Sequence, residues 1–243
     1  MENNTPDYVY KNVIQLNETD ASRKYLAKVF AWMFVALGIS AIVAFEFYLN
    51  KGLMDFIIDP VVGGFTGLGY VALFAPLAFS MALSFGINRM SYPVALVLFV
   101  TYAATMGISL SVLGLFYTAS SMFGVFLSAS AVFAIMAIAG YTTQMDLSKF
   151  GSILMVIFFG VFAVSIINFF LGSSQLQYII SFAFMVIMIG LTAYYIQMLK
   201  RIGAGIEYGT AESKKLVIIG AFVLYTTFIN LFMSMLRIFG GRR

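Results

Sequence analysis

Cysteine and histidine are both absent from the 243 residues. Without cysteine there are no disulfides, thiolate nucleophiles or thiolate metal ligands, and nothing can be said of redox compartment. Without histidine there is no Ser–His protease, no His-ligated zinc site and no His-ligated haem. Histidine is also the side chain whose unperturbed pKa lies between 5 and 8, so a pH switch in that window would need a strongly shifted carboxyl group. Charge is scarce as well. Only 10% of the residues are Asp, Glu, Lys or Arg and 62% are hydrophobic, against about 25% and about 45–50% in soluble domains. A single water-soluble core of this length would leave many Phe, Leu, Ile and Met uncovered. A soluble enzyme and a nucleic-acid-binding domain are therefore excluded. The net charge of +4 does not argue otherwise, because the 14 Lys and Arg sit at the ends of apolar runs and form no continuous basic stripe. The lipid bilayer is the partner the composition requires, and no cofactor is expected.

A helix crossing the hydrocarbon layer needs roughly 20 mostly apolar residues. Seven runs meet this need, at residues 28–48, 68–87, 92–116, 120–140, 151–171, 178–199 and 216–239. The fold class is therefore all-α, a polytopic membrane protein of seven transmembrane helices. Residues 1–27 are polar and read as a cytoplasmic N-terminal arm, mobile or lying on the surface. Residues 28–240 form the transmembrane domain and 241–243 a short tail. No cleavable signal peptide is expected, because the chain opens with polar residues and its first apolar run is a full span.

Lys and Arg sort unevenly between the two ends of the spans. One side collects Lys11, Arg23, Lys24, Lys28, Arg89, Lys149, Lys200, Arg201, Lys214 and Lys215, and the other only Lys51, Arg237, Arg242 and Arg243. The positive-inside rule then places the N-terminus in the cytoplasm and the C-terminus outside. Small residues recur at i, i+4 spacing, as Ala36, Ser40 and Ala44 on the first span and Ala103, Gly107 and Ser111 on the third. In lipid such stripes let helix backbones approach closely, which predicts a compact bundle.

Ionisable groups inside the spans are the places to look for function, since a charge there is costly. Few exist. Glu46 lies near the outer end of span one, where it either snorkels to the interface toward Lys51 or lines an ion pathway. Arg89, in the tight connection 86–90, is either an exposed positive-inside residue or a gate partner. Asp146 and Lys149 share the loop 141–150 and read as local loop or helix-cap contacts. No span holds an Asp pair for an aspartyl protease, a mid-span Lys for a retinal Schiff base, or a carboxylate relay for proton coupling. What remains mid-membrane is neutral, including Asn168, Asn230, Tyr194, Tyr195, Gln197, Tyr225, Thr226 and Thr227. Such groups serve as helix–helix hydrogen bonds or border a water-filled path. No nucleophile–base pair or metal cluster can be assembled, so the chain does not read as an enzyme.

Three segments together carry a resemblance. The loop reads Gly140-Tyr141-Thr142-Thr143-Gln144-Met145-Asp146-Leu147-Ser148-Lys149-Phe150-Gly151-Ser152. Span six ends Gly190-Leu191-Thr192-Ala193-Tyr194-Tyr195-Ile196-Gln197. Span seven carries Leu224-Tyr225-Thr226-Thr227-Phe228-Ile229-Asn230-Leu231-Phe232 and then Leu236-Arg237-Ile238-Phe239-Gly240. With seven spans and this length, the chain resembles the Bax inhibitor-1 (transmembrane Bax inhibitor motif) family in its bacterial form. The resemblance implies a seventh span at the centre, wrapped by the other six, and a calcium leak that responds to pH. It also implies two Asp, on spans six and seven, that share a proton and hold the pore shut. Bacterial members are further linked to a membrane-anchored ATP-dependent protease, and the plasma membrane is the expected location.

The sequence departs from that pattern at both latch positions. Where the family has Ala-Tyr-Asp, this chain has Ala193-Tyr194-Tyr195. Where the family has Tyr-Leu-Asp-Phe-Ile-Asn, it has Tyr225-Thr226-Thr227-Phe228-Ile229-Asn230. A Tyr195–Thr227 hydrogen bond could still join the helices but would not titrate between pH 5 and 8, and whether the two touch depends on helix rotation, which sequence alone does not fix. Two readings follow. In one, the chain is a cation leak without the proton latch, with Asn168, Asn230, Tyr195 and Thr227 along the path, Arg89 at its mouth, and calcium or another cation as cargo. In the other it conducts nothing and acts by contact, as adaptor or inhibitor of a membrane protease, with the arm residues Tyr8, Tyr10, Ile14 and Leu16 as one surface.

Overall fold

The computed structural model describes residues 6–86, 89–206 and 210–242, with side chains from residue 20 onward. Its helices are α1 (Pro6–Leu49), α2 (Lys51–Asp55), α3 (Gly67–Gly86), α4 (Tyr92–Ser111), α5 (Leu113–Phe116), α6 (Ala119–Thr142), α7 (Ser148–Leu171), α8 (Ser174–Ala204) and α9 (Ala211–Phe239). Seven stretches are long and apolar enough to cross a membrane: Asp20–Leu49, α3, Tyr92–Phe116, α6, α7, α8 and α9. The chain is thus an all-α polytopic membrane protein. Strands are absent among the described residues, where only isolated bridges such as Ile58–Phe65 in the α2–α3 loop occur.

Several spans outrun their apolar cores, most of all at the basic end of the bundle. α1 does not begin at residue 28, and Ser22, Tyr25 and Leu26 are buried against the other helices. Residues 20–27 are therefore a packed extension of the first span and no loose arm. Ser22 Oγ donates to the Lys200 carbonyl at 2.8 Å and Tyr25 Oη to the Leu216 carbonyl at 2.9 Å. Hydropathy alone stopped the span at Lys28 because the preceding turns alternate polar and apolar faces. The side chains of Tyr8, Tyr10, Ile14 and Leu16 lie outside the described residues. α8 likewise continues past Leu199 to Ala204 and carries Lys200 and Arg201.

Helix ends are fixed locally. Thr118, Ser173 and Thr210 each accept a hydrogen bond from the backbone N–H three residues on, at 3.3, 3.3 and 3.1 Å, satisfying an otherwise unpaired N-terminal donor. α7 stops at Gly172, whose φ of 63° is the left-handed conformation that glycine adopts freely.

α9 is the axis of the bundle. Val217, Ile218, Ala221, Leu224, Tyr225, Phe228, Leu231 and Leu236 are all buried along it. It packs on α1, α4, α6 and α8, whereas α3 packs on α4 and α7 on α8. The central seventh span is as expected, but the wrapping is in two layers: four spans form the inner ring and two stand outside it. Their sequences explain the outer position, since α7 buries only Gly151 and Asn168 and presents Val156, Phe159, Phe169 and Phe170 outward to lipid.

Candidate functional site

The small-residue stripes of α1 and α4 meet each other. A Cβ on Gly107 would lie 2.6 Å from the Ser40 carbonyl oxygen, so at this level the two backbones touch. That approach carries Ser40 Oγ to 2.6 Å from the Ala103 carbonyl and 2.6 Å from Tyr225 Oη on α9. A serine hydroxyl has one proton to give. With that proton on the Ala103 carbonyl, Tyr225 donates to Ser40, and three helices are joined by one chain of bonds. Tyr102 Oη pairs with Thr226 Oγ1 at 3.3 Å on the next face of α9. Around these hydroxyls the rings of Phe99, Tyr102, Phe222 and Tyr225 contact edge to face, with centroids 5.1–6.4 Å apart. The middle of the bundle is filled with aromatic rings.

Tyr195 and Thr227 do not bond to one another. Tyr195 Oη donates to Met155 Sδ on α7 at 3.3 Å, and Thr227 Oγ1 donates to the Val223 carbonyl of its own helix at 2.8 Å. Helix register accounts for the miss. Leu199 packs on Gly220, and counting back from that contact along an antiparallel pair sets Tyr195 opposite Leu224 and Thr227 opposite Thr192. The contact that the sequence left open is therefore not made, and each residue keeps a local bond instead, about one turn out of step.

The other candidates scatter. Asn168 lies at the far end of α7 and not at mid-membrane. Its Nδ2 donates to the Ser173 carbonyl at 3.2 Å, closing the α7–α8 turn, while its Oδ1 is buried without a partner. Asn230 is half-buried on α9, and its backbone carbonyl accepts from Ser234 Oγ at 2.7 Å. Glu46 and Arg89 are exposed at opposite ends of the bundle, and Glu46 forms no ion pair with Lys51. Of the described carboxylates, Asp20, Glu46, Asp55, Asp146 and Glu212 are exposed, and Asp59 is half-buried in the α2–α3 loop. Their backbone positions put none of them beside α9's aromatic centre.

The most connected polar cluster is at the basic end, between the α6–α7 loop and α8. Gln197, buried, accepts from the Leu147 N–H through Oε1 at 2.9 Å and donates from Nε2 to the Met145 carbonyl at 2.7 Å. One turn further along α8, Arg201 pairs with Asp146 at 2.8 Å and also donates to Ser148 Oγ and Gln197 Oε1 at 3.1 Å each. Lys200 donates to the Tyr141 carbonyl at 2.8 Å and stands 4.5 Å above the Tyr141 ring. Asp146 thus does make the local contact expected of it, to Ser148 N and Oγ at 3.1 and 2.7 Å, and also reaches across to a second helix. Hydrogen bonds from Ser148 first, and then from Arg201, hold its carboxyl well below the usual range, at about 2.

Sequence reasoning missed Ser40, read only as a packing residue, and the clamp role of Gln197 and Arg201. The signal for the latter is present. Gln197, Lys200 and Arg201 at i, i+3 and i+4 share one helix face, and a loop carbonyl-rich turn with a lone Asp is what such a face can hold.

Comparison with known proteins agrees with this architecture. The family model described as inhibitor of apoptosis-promoting Bax1 matches residues 22–243. An inner membrane protein, YbhL, of Escherichia coli (strain K12) is 36% identical over 90% of this chain and 92% of its own length. An uncharacterized protein of Rickettsia prowazekii is 35% identical over 91% of each chain. An uncharacterized membrane protein of Streptococcus pyogenes is 31% identical over 94% of this chain and 97% of its own length. The chain therefore belongs to the Bax inhibitor-1 family of multi-pass membrane proteins.

Proposed function

We propose that this protein keeps the family scaffold as a bundle that no proton latch controls, and that it acts by contact with other membrane components rather than as a calcium leak. The observation that carries this reading is the pair of latch positions. Tyr195 on α8 and Thr227 on α9 are bonded to Met155 and Val223 and not to each other, in a bundle whose centre is packed with aromatic rings. Carboxylates are the ligands calcium prefers, and neutral hydroxyls and amides hold it weakly. The partner class that fits the family resemblance is a membrane-anchored ATP-dependent protease, in the plasma membrane, with the basic end of the bundle in the cytoplasm.

Calcium flux into liposomes at pH 6 and pH 8 tests the first half, comparing wild type with Tyr195→Asp/Thr227→Asp. Wild type is expected to admit no calcium above empty liposomes at either pH. A wild-type leak at either pH would overturn the reading, and one that changes severalfold between the two would restore a proton latch. Contact is tested separately by purifying the full chain and a chain lacking residues 1–20 together with the protease. Retention by the full chain and loss on deletion supports the arm as the contact surface; equal retention moves the surface to the bundle.

A further inference from the structure

α1 and α6 both pack on the central helices but stand apart from each other, leaving a lateral groove between them. Its half nearer the basic end has a volume of about 650 Å³ and the half nearer the opposite end about 460 Å³. Leu37, Ala41, Phe126 and Phe228 border both, so the two halves form one furrow along the membrane normal. Small residues keep it open: Gly38 and Ala41 on α1 face Ser130, Ala134 and Ala137 on α6, and a Cβ on Gly38 would meet nothing within 4 Å. Phe228 of α9 and Ile196 of α8 form the floor of the larger half.

Polarity is confined to one end. Arg23 lies at the basic mouth of the furrow, beside the hydroxyl of Tyr141. Asp20 sits one turn earlier on the same helix. A guanidinium has five N–H donors, more than these two neighbours occupy. The lining of the furrow holds no acidic side chain. A long apolar slot between two helices that ends in an arginine at the basic end of the bundle matches an amphiphile with an anionic head.

We propose that the α1–α6 groove is a binding site for an anionic phospholipid of the leaflet at the basic end. One acyl chain lies between Gly38, Ala41 and Ala134, and the phosphate is held by Arg23. Anionic lipid is enriched near basic membrane-proximal residues, and Arg binds phosphate oxygens in a forked geometry. The site is distinct from the axis of α9 and from the loop clamp, and it stands whether or not the protein conducts.

The test uses the full-length protein in vesicles of phosphatidylcholine doped with phosphatidylglycerol bearing a photoactivatable group in its acyl chain, with the labelled residues mapped by mass spectrometry. Labelling is expected to concentrate on residues of α1 and α6 that line the groove, several-fold above the lipid-facing residues of α7. Arg23→Gln, an exposed position, should bring phosphatidylglycerol labelling down to that of a matched phosphatidylcholine probe. Ala134→Trp should remove groove labelling while native helicity and the Arg23-independent labelling of α7 persist. Uniform labelling of all lipid-facing helices would overturn the proposal, as would a headgroup preference that survives Arg23→Gln. Cross-links from the groove to a second copy of the chain would equally overturn it, by naming a protein as the occupant.

Discussion

At the scale of single residues, the hydroxyls of the core are not equivalent. Tyr225 is fully buried and, with the one Ser40 proton given to a backbone carbonyl, is left to donate to Ser40, so removing either partner has a different consequence. Tyr225→Phe deletes one donor and leaves Ser40 still bonded to the Ala103 carbonyl, a loss of about 0.6 kcal/mol by the usual scale of bonds within membranes. Ser40→Ala strands the Tyr225 hydroxyl in an aromatic pocket and leaves the Ala103 carbonyl with one partner fewer, which costs about 1–3 kcal/mol. Reversible unfolding in mixed micelles measures both, and a larger loss for Tyr225→Phe would contradict the assigned direction of the bonds. Asp146 makes a second case. Its folded pKa is depressed to about 2, below the reference of about 3.9. The stabilising contribution is therefore complete above about pH 4 and fades only as pH falls toward 2. Hydrogen exchange of the α6–α7 loop should be flat, after correction for intrinsic rates, between pH 5 and 8. A protection change inside that window would mean another group governs the loop. These roles were only partly readable in the sequence. The absence of carboxylates at 195 and 227 is a fact of composition, but where a Tyr or Thr hydroxyl goes depends on helix rotation, which spacing alone leaves open.

Elements are held together where backbones touch. A Cβ on Gly140 would sit 2.3 Å from the Ala193 carbonyl oxygen, so the end of α6 meets the body of α8 without side chains between them. That contact is what brings the loop after α6 under Gln197 and Arg201. Gly140→Val should force the helices apart, costing about 1–3 kcal/mol or more as an overpacked contact. It should also raise proteolytic cleavage within 143–147. Gln197→Leu should expose the same segment without moving the helices, because it removes the two bonds to Met145 and Leu147 and one from Arg201 but no backbone contact. If Gly140→Val left the loop as resistant as wild type, the α6–α8 contact would not be what seats it. The sequence disclosed the seven spans because apolar runs of the required length are conspicuous, and it disclosed the α1 and α4 stripes as packing surfaces. It understated both ends of the basic side, at Ser22–Leu26 and Lys200–Ala204. Helices there continue past the hydrocarbon on mixed polar and apolar turns, for which hydropathy has no signal.

For the whole molecule, the two-layer arrangement sets where mutations count. All the spans are apolar, so hydropathy could not distinguish the inner ring from α3 and α7; only the density of buried contacts does. Both surroundings are nonpolar, and transfer from lipid to protein interior gains little by itself. What separates the layers is close packing. Truncation inside the ring leaves a cavity that lipid cannot fill, whereas truncation on the outer face is filled by an acyl chain. Leu224, fully buried on α9, should lose about 2–5 kcal/mol on Leu224→Ala. Val156, 73% exposed on α7, should change stability by no more than about 0.5 kcal/mol on Val156→Ala. The same unfolding assay in mixed micelles decides this. Comparable losses at the two positions would mean that α7 is covered by protein in the native membrane, and the outer layer would then be an interface and not a lipid-facing wall.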